Sequence, residues 1–174
     1  NLNTATYASK FYSINSQETV PTGLFFKDNG SVMYLLGVNS DSIYQYNLTT
    51  PWDILSVSYA SKNYSVAIEE DQPRGLFFKN DGSNAYIVGD NNKKIYQYSL
   101  GTPWDISTAS YSTKYFSVSD QETSPNGLTF KNDGSKAYVV GLSGNVFEYS
   151  LTTPWDISTA FYDSHFFTSS SFDV

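Results

Sequence analysis

Most side chains that could bind a cation or move a proton lie in short polar segments that recur along the chain. Three of these segments read NSQETVPTG, AIEEDQPRG and SDQETSPNG, and three more, VNSDS, DNNKK and LSGN, each follow an apolar run. Clustered carboxylates and amides can hold Ca²⁺, which takes about six to eight oxygen ligands. The spacing lacks the tight pattern of an EF-hand loop, so we favour solvated loop acids and keep Ca²⁺ binding as the alternative. The candidate ligand-binding residues are Glu18, Asp41, Glu69, Glu70, Asp71, Asp90, Asp120 and Glu122.

Other catalytic chemistry has little support in the residue types present. The chain has no cysteine and one histidine, His165. Thiol nucleophiles and zinc sites built from cysteine or several histidines are therefore excluded. His165 falls in the last and outermost strand candidate, where a lone histidine is usually a surface residue. We therefore expect no Ser-His-Asp arrangement. Ca²⁺ is the one cofactor that the sequence leaves possible.

The pentapeptide TPWDI occurs three times and contains every tryptophan of the chain. A tryptophan beside a carboxylate could bind a sugar ring. As scaffolding, the proline fixes φ, the aspartate accepts a backbone N–H, and the indole fills the gap between neighbouring units. Burying one indole would contribute about 4–6 kcal/mol as an upper bound. We therefore favour the structural interpretation. The residues concerned are Trp52, Asp53, Trp104, Asp105, Trp155 and Asp156.

The composition indicates one folded, all-β domain. The 174 residues are 40% hydrophobic, 16% charged and 17% aromatic, and aromatic side chains fit the half-buried surface of strands. The net charge of −7 would repel phosphate backbones and anionic lipid, so we expect neither nucleic acid nor membrane as a partner. Because the sequence begins at Asn1 rather than at methionine, we expect a processed product or an excerpt, with a secreted or surface location favoured.

An internal repeat of about 52 residues organises the chain. Each copy contains four strand candidates, of which the first is GLFFK and its equivalents, ending in a DNGS or NDGS turn. The first two strands are apolar on both faces, which favours sheets stacked face to face, and the fourth is polar like an outer edge. Four strands at this period predict the blade of a β-propeller, with blades at 21–68, 73–120 and 125–170.

The segment NDGSKAYVVGLSGNVFEYSL resembles the blades of YVTN, NHL and lactonase-type propellers. The WD40 signature is missing, because the Trp-Asp pair here follows a proline in the loop after the third strand. The resemblance implies that the loops after the fourth and second strands share one functional face, which carries the acids named above. It also implies that a Ca²⁺-dependent, lactonase-like reaction could use that face.

Residues 1–16 repeat the sequence of a fourth strand, which predicts one extra outer strand before the first blade. Three blades do not close a ring, since propellers have about four to eight. We therefore expect a homodimer that completes a ring of six blades, or an excerpt of a longer propeller. In such a dimer the extra strand and the last strand, from Ala160, would compete for one edge.

The near-equivalence of the blades favours a non-enzymatic binding or structural module over an enzyme with one asymmetric site. Its ligand would be carbohydrate or protein. The alternatives are the Ca²⁺-dependent hydrolase and an excerpt with no separate activity. The blades differ chiefly at Thr129, which stands where the other copies have phenylalanine, at Glu148, which replaces a glutamine, and at Arg74, the only arginine.

Overall fold

The computed structural model describes residues 5–168, which form twelve antiparallel strands in three four-stranded sheets and contain no α-helix. This confirms the predicted all-β class and the three four-stranded blades. Blade 1 consists of β1 (Pro21–Phe26), β2 (Val32–Gly37), β3 (Ser42–Leu48) and β4 (Val57–Ser65). Blade 2 consists of β5 (Pro73–Phe78), β6 (Asn84–Gly89), β7 (Lys94–Leu100) and β8 (Ala109–Ser117). Blade 3 consists of β9 (Pro125–Phe130), β10 (Lys136–Gly141), β11 (Asn145–Leu151) and β12 (Ala160–Thr168). Residues 169–170 of the predicted third blade lie outside the described range.

Glycine turns close the first hairpin of every blade. Gly30, Gly82 and Gly134 have φ of 68°, 73° and 73°, the left-handed region that glycine enters without a Cβ clash. In blade 1, the Gly30 amide donates to the Lys27 carbonyl at 2.7 Å, which tightens the turn. These turns hold the first and second strands in register.

The blades are arranged radially. The first strands β1, β5 and β9 lie beside one another on the inside, whereas the fourth strands β4 and β8 contact the short 3-10 turn and the third strand of the next blade. The faces of consecutive blades pack together as apolar cores. Between blades 1 and 2 the core contains Tyr34, Leu36, Ile43, Leu76, Phe78 and Ile87. Between blades 2 and 3 it contains Tyr86, Val88, Ile95, Phe130, Ala137 and Val139.

The N-terminal segment differs from its prediction. Residues 1–4 lie outside the described range, and residues 5–16 belong to no sheet. The physical reason is that a fourth strand needs a third strand to hydrogen-bond with, and none of the described strands β1–β12 pairs with this segment. Tyr12 and Ile14 pack instead on the core of blade 1.

None of the helical turns among residues 5–168 is long and apolar enough to cross a membrane.

Candidate functional site

The loop face is the end of the blades at which the loops after the second and fourth strands meet. In blade 2, Pro73 at the start of β5 pairs with Gly89 at the end of β6, and this pairing brings segments 66–72 and 90–93 together. The acids predicted for one face do lie in these loops. Their environments fall into two groups, which differ in burial.

Three of the acids, Glu18, Glu70 and Glu122, are buried clamps between the two loops of their blade. The Glu70 carboxylate accepts bonds from the amides of Gln72 (3.0 Å), Asn91 (3.1 Å) and Asn92 (3.0 Å). The carboxylate oxygens therefore accept hydrogen bonds from the protein's own backbone donors, which differs from the Ca²⁺ site that the sequence left possible. They also differ from the solvated loop acids that the sequence favoured, because they are 0–1% exposed.

The other two clamps repeat this arrangement. Glu18 accepts from the Val20 amide at 2.6 Å and from the Ser40 hydroxyl at 2.6 Å. Burial by itself would raise the pKa of Glu18, but the hydrogen bonds from Ser40, Val20 and Asn39 outweigh it and lower the pKa. Glu122 accepts from the amides of Ser124 (2.9 Å) and Ser143 (3.3 Å).

A glycine opposite each clamp makes room for the carboxylate. A Cβ at Gly37 would lie 2.1 Å from the Glu18 side chain, and a Cβ at Gly89 would lie equally close to Glu70. The glycine that ends each second strand is therefore part of the same device as the glutamate.

The remaining acids on the loop face are less buried. Asp71 and Asp120 are exposed, whereas Asp41 is half-buried and has φ of 47°. Burial raises the pKa of Asp41, and the negative charges of Asp71 and Glu18 raise it further. Within residues 5–168, these loop acids do not form a group of three close enough to share one cation.

Arg74 distinguishes the loop face of the middle blade. Its guanidinium Nη2 lies 3.2 Å from Gln72 Oε1 and 3.6 Å from Asp90 Oδ2, at the inner strand β5. Its Nε is buried, and within the described residues it has no hydrogen-bond partner. This is the one cationic fork that the loop face offers to an anionic or hydroxyl-rich ligand.

A further charged cluster, absent from the sequence-based prediction, lies on blade 3. Glu148, Asp163 and His165 are close enough together to hold a cation, but Lys136 already occupies the cluster. The Lys136 ammonium contacts Glu148 and lies 3.6 Å from Asp163, and the Glu148 hydrogen bond raises the pKa of Lys136. The histidine side chain is 73% exposed, which agrees with the expected surface position. An ion pair, and not a metal centre, explains the cluster.

The tryptophans of the repeat lie at the joints between blades. The Trp104 ring packs against both Phe25 of blade 1, at 6.5 Å between centroids, and Phe78 of blade 2, at 5.9 Å, and these two phenylalanines also contact each other at 5.3 Å. Trp155 packs in the same way against Phe77 and Phe130. Trp52 belongs to the first blade, has no blade before it, and is 61% exposed.

The aspartates of the repeat join neighbouring blades through ion pairs. Asp105 accepts from the Ser107 amide at 3.1 Å at the start of a 3-10 turn, and Lys62 of the preceding blade donates to it at 2.6 Å. The Lys62 hydrogen bond, followed by those from Ser107, lowers the pKa of Asp105. Lys114 donates to Asp156 in the same way at 2.7 Å.

Two concave surfaces of the described chain lie on its first and last blades. A depression of about 330 Å³ on blade 3 is lined by apolar groups that include Leu128, Val140 and Val146. A second, of about 310 Å³, on blade 1 is lined by Ile14, Leu24 and neighbours. Both are faces that the other blades cover with a neighbour.

Comparison with known proteins places the fold. No protein-family model and no curated protein sequence matches the chain. Among solved structures, it resembles a candidate 6-phosphogluconolactonase from Bacteroides uniformis at 14% identity, over 82% of this chain and 39% of that one, with a TM-score of 0.59. It also resembles a candidate 6-phosphogluconolactonase from Bacteroides fragilis at 10% identity, over 85% and 39% of the two chains, with a TM-score of 0.60.

A third solved structure, the periplasmic gluconolactonase PpgL from Pseudomonas aeruginosa, is 14% identical over 84% of this chain and 42% of that one, with a TM-score of 0.56. The chain therefore has the fold of lactonase-like propellers, as its blade sequence suggested. It spans about two fifths of the length of the propellers it matches.

Proposed function

We propose that this chain is a non-enzymatic module of a propeller wall that presents the exposed groups of its loop face to a carbohydrate or protein ligand. The single observation that carries this proposal is the commitment of Glu18, Glu70 and Glu122 to backbone donors. Carboxylates held in this way cannot serve as general base, nucleophile or calcium ligand without breaking the loops that they clamp. What they supply is a rigid, pre-ordered surface, which lowers the entropic cost of binding.

The exposed loop acids give a direct test of this proposal. We expect glycan-array or calorimetric screening to find a ligand whose affinity falls at least tenfold in Asp71→Asn or Asp120→Asn, with the melting temperature unchanged. A matched control is Asp28→Asn, an exposed acid in the first hairpin turn of blade 1, at the opposite end of the strands. Binding lost equally in the control would contradict a site on the loop face.

A second candidate function is hydrolysis of a sugar-derived lactone, in which water adds across the acyl C–O bond to give the hydroxy acid. It is favoured by two of the solved structures being named as candidate 6-phosphogluconolactonases and one as a gluconolactonase. Within this chain, Arg74 beside Asp90 and Gln72 is suited to binding a sugar acid or phosphate.

Base consumption at constant pH with δ-gluconolactone or its 6-phosphate, compared with the uncatalysed rate, tests this candidate. If the lactonase candidate is correct, turnover exceeds the background and falls at least tenfold in Arg74→Gln, while the control Arg74→Lys, which keeps the charge, loses less. Background turnover with intact glycan binding would reject the lactonase and leave the binding module.

A further inference from the structure

Every joint between blades within the chain is made by the same three polar contacts. From blade 1 to blade 2, the Tyr34 hydroxyl donates to the Trp104 carbonyl at 2.6 Å. The Ile106 amide donates to the Gln45 side chain at 2.9 Å, and Lys62 donates to Asp105. We call the blade surface that presents the tyrosine, glutamine and lysine side chains the giving side. The receiving side is the surface of the next blade that presents the backbone and the carboxylate of the Trp-Asp-Ile segment.

The second joint repeats these contacts with nearly the same geometry. Tyr86 donates to the Trp155 carbonyl at 2.7 Å, and the Ile157 amide donates to Gln97 at 3.0 Å. Because the hydrogen-bond distances of the two joints agree within 0.1 Å, the joint is a property of the repeat. The first and last described blades can therefore be compared with this joint geometry.

Blade 3 is the last described blade, and its giving side has no receiving side against it and carries His165 where the other two blades carry lysine. At the equivalent positions it presents the Tyr138 hydroxyl and the Glu148 carboxylate, which bond to each other. Val140 and Val146 are 42% and 38% exposed, whereas Val88 and Ile95 at the same places in blade 2 are fully buried. We call this surface the trailing face.

Blade 1 begins the chain with a receiving side that lacks its donor blade. Within residues 5–168, the Trp52 carbonyl and the Ile54 amide have no side-chain partner like those at the two inner joints. Leu24 is 58% exposed, whereas Leu76 at the same place in blade 2 is 6% exposed. We call this surface the leading face.

The N-terminal segment already occupies part of a joint on the leading face. Lys10 donates to Asp53 at 2.9 Å, as Lys62 does to Asp105, and Tyr12 meets Tyr46 edge-on at 6.1 Å. Ser9 has φ of 57°, which matches the 56° of Ser61 at the bulge of β4. Residues 5–16 therefore have the shape and contacts of a fourth strand, and lack the third strand beside it.

We infer that the trailing face of one copy of this chain docks on the leading face of a second copy. Residues 5–16 of the second copy then replace β12 of the first copy as the fourth strand beside β11 of the first copy. Two such joints close a ring of six blades. Tyr138 would donate to the Trp52 carbonyl of the other copy. Glu148 would accept from its Ile54 amide in a charge-assisted bond, stronger than that of the glutamine it replaces.

Strand exchange is inferred because β12 and residues 5–16 of the second copy would compete for the same position beside β11. With β12 kept in the joint, its His165 would meet an Asp53 carboxylate that Lys10 already occupies. The β12 side chains Phe161, Phe166 and Phe167 are 46–61% exposed, so displacing this strand mainly costs its pairing with β11 and the ring contacts of Tyr162, which the incoming strand would replace. The N-terminal segment brings the lysine that the joint uses, so we assign it the position beside β11.

Light scattering on the full chain tests the docking. We expect a molar mass of two chains, reduced to one in Val140→Asp and in Leu24→Asp. These residues are exposed in the single chain, so the variants should keep the far-ultraviolet circular dichroism of the folded protein. Ile68→Asp is the matched control, because Ile68 is 95% exposed in a loop outside both faces, and it should stay a dimer. A single-chain mass for the unmodified protein at 100 μM, or a ladder of larger masses, would overturn the closed ring.

Disulfide trapping tests the strand exchange, and the absence of natural cysteines leaves a clean background. In the other blades Ser42 pairs with Ser65 and Lys94 pairs with Ser117. The equivalent pair across two copies is Asn145 with Ser13. We expect Ser13→Cys combined with Asn145→Cys to give covalent dimers after oxidation.

The competing pair is Asn145 with Thr168, which lie opposite each other on β11 and β12. Asn145→Cys combined with Thr168→Cys should give mostly uncrosslinked chains if β12 is displaced. Efficient disulfide formation within one chain, in a protein of two-chain mass, would refute the exchange. The readouts are mass and covalent linkage, so a failure of assembly is distinguishable from a failure of ligand binding.

Discussion

Replacing Glu70 with glutamine gives the sharpest measure of the carboxylate clamp. The side chain keeps its size, but one oxygen becomes an NH₂ group that faces backbone donors. At least one of the three amide bonds is lost, and bonds to charged acceptors contribute about 1.5–3 kcal/mol each. The buried amide left without an acceptor adds a cost of about 1–3 kcal/mol.

Because part of the second cost is already contained in the first, we expect Glu70→Gln to lower the free energy of unfolding by about 2–4 kcal/mol. For a domain of this length each kcal/mol shifts the melting temperature by about 2–4 °C, so the expected fall is about 5–15 °C. The assay is thermal unfolding followed by circular dichroism at pH 7, with and without 5 mM Ca²⁺ and with EDTA.

Glu69→Gln is the matched control, since Glu69 is the preceding residue and, within residues 5–168, its carboxylate accepts one long hydrogen bond, at 3.5 Å from the Tyr98 hydroxyl. We expect its melting temperature to stay within about 2 °C of the unmodified protein. Equal melting temperatures for the two variants would refute the clamp. A Ca²⁺-dependent melting temperature that Glu70→Gln abolishes would show that the carboxylate holds a metal after all.

Three further predictions concern the joints and turns. Trp104→Ala should lower the free energy of unfolding by about 3–5 kcal/mol, since it removes the indole that packs against both Phe25 and Phe78 at the joint, and chemical denaturation would measure it. Gly82→Ala should be strongly destabilising, because its Cβ would lie 2.4 Å from the indole of Trp104 at φ +73°, whereas Gly101→Ala, with its nearest contact at 3.7 Å, should be tolerated. The pKa of Asp105 is lowered by Lys62, so the stability from this pair is present above the ordinary aspartate pKa of 3.8 and is lost as the pH falls below it. Acid titration of unfolding should therefore show a smaller loss between pH 5 and pH 2 in Lys62→Met; an unchanged acid dependence would count against the ion pair.

The blade architecture could be read from the sequence because its signals are local. The glycine turns and the alternation of apolar runs with polar segments each act over a few residues, so the four strands per copy follow directly. The N-terminal segment shows where local reasoning ends. Its sequence is that of a fourth strand, but residues 5–16 belong to no sheet, because strand formation requires a hydrogen-bonding neighbour that the described chain does not place there.

The sequence did not predict that the three glutamates are buried and hydrogen-bonded to backbone amides, because the burial of an acid depends on a loop that is distant in sequence. A signal was nevertheless present. Glu18, Glu70 and Glu122 recur at the repeat spacing, each with a glycine nineteen residues later, whereas Asp41, Asp71 and Asp90 have no such equivalents in every copy. A strictly repeated acid paired with a strictly repeated glycine indicates a packing role, and acids that vary between copies are the better candidates for ligand contact.

The identical joints also determine how such a protein can change in length. Each joint connects a residue only to the blade that follows it, so copying one repeat of about 52 residues in frame would insert a blade and leave every existing contact intact. Blade number is then a quantity that gene duplication can alter one unit at a time, with ring closure as the only global condition. The Trp-Asp-Ile segment makes the same hydrogen bonds at both described joints, so it can join successive copies of the repeat in the same way.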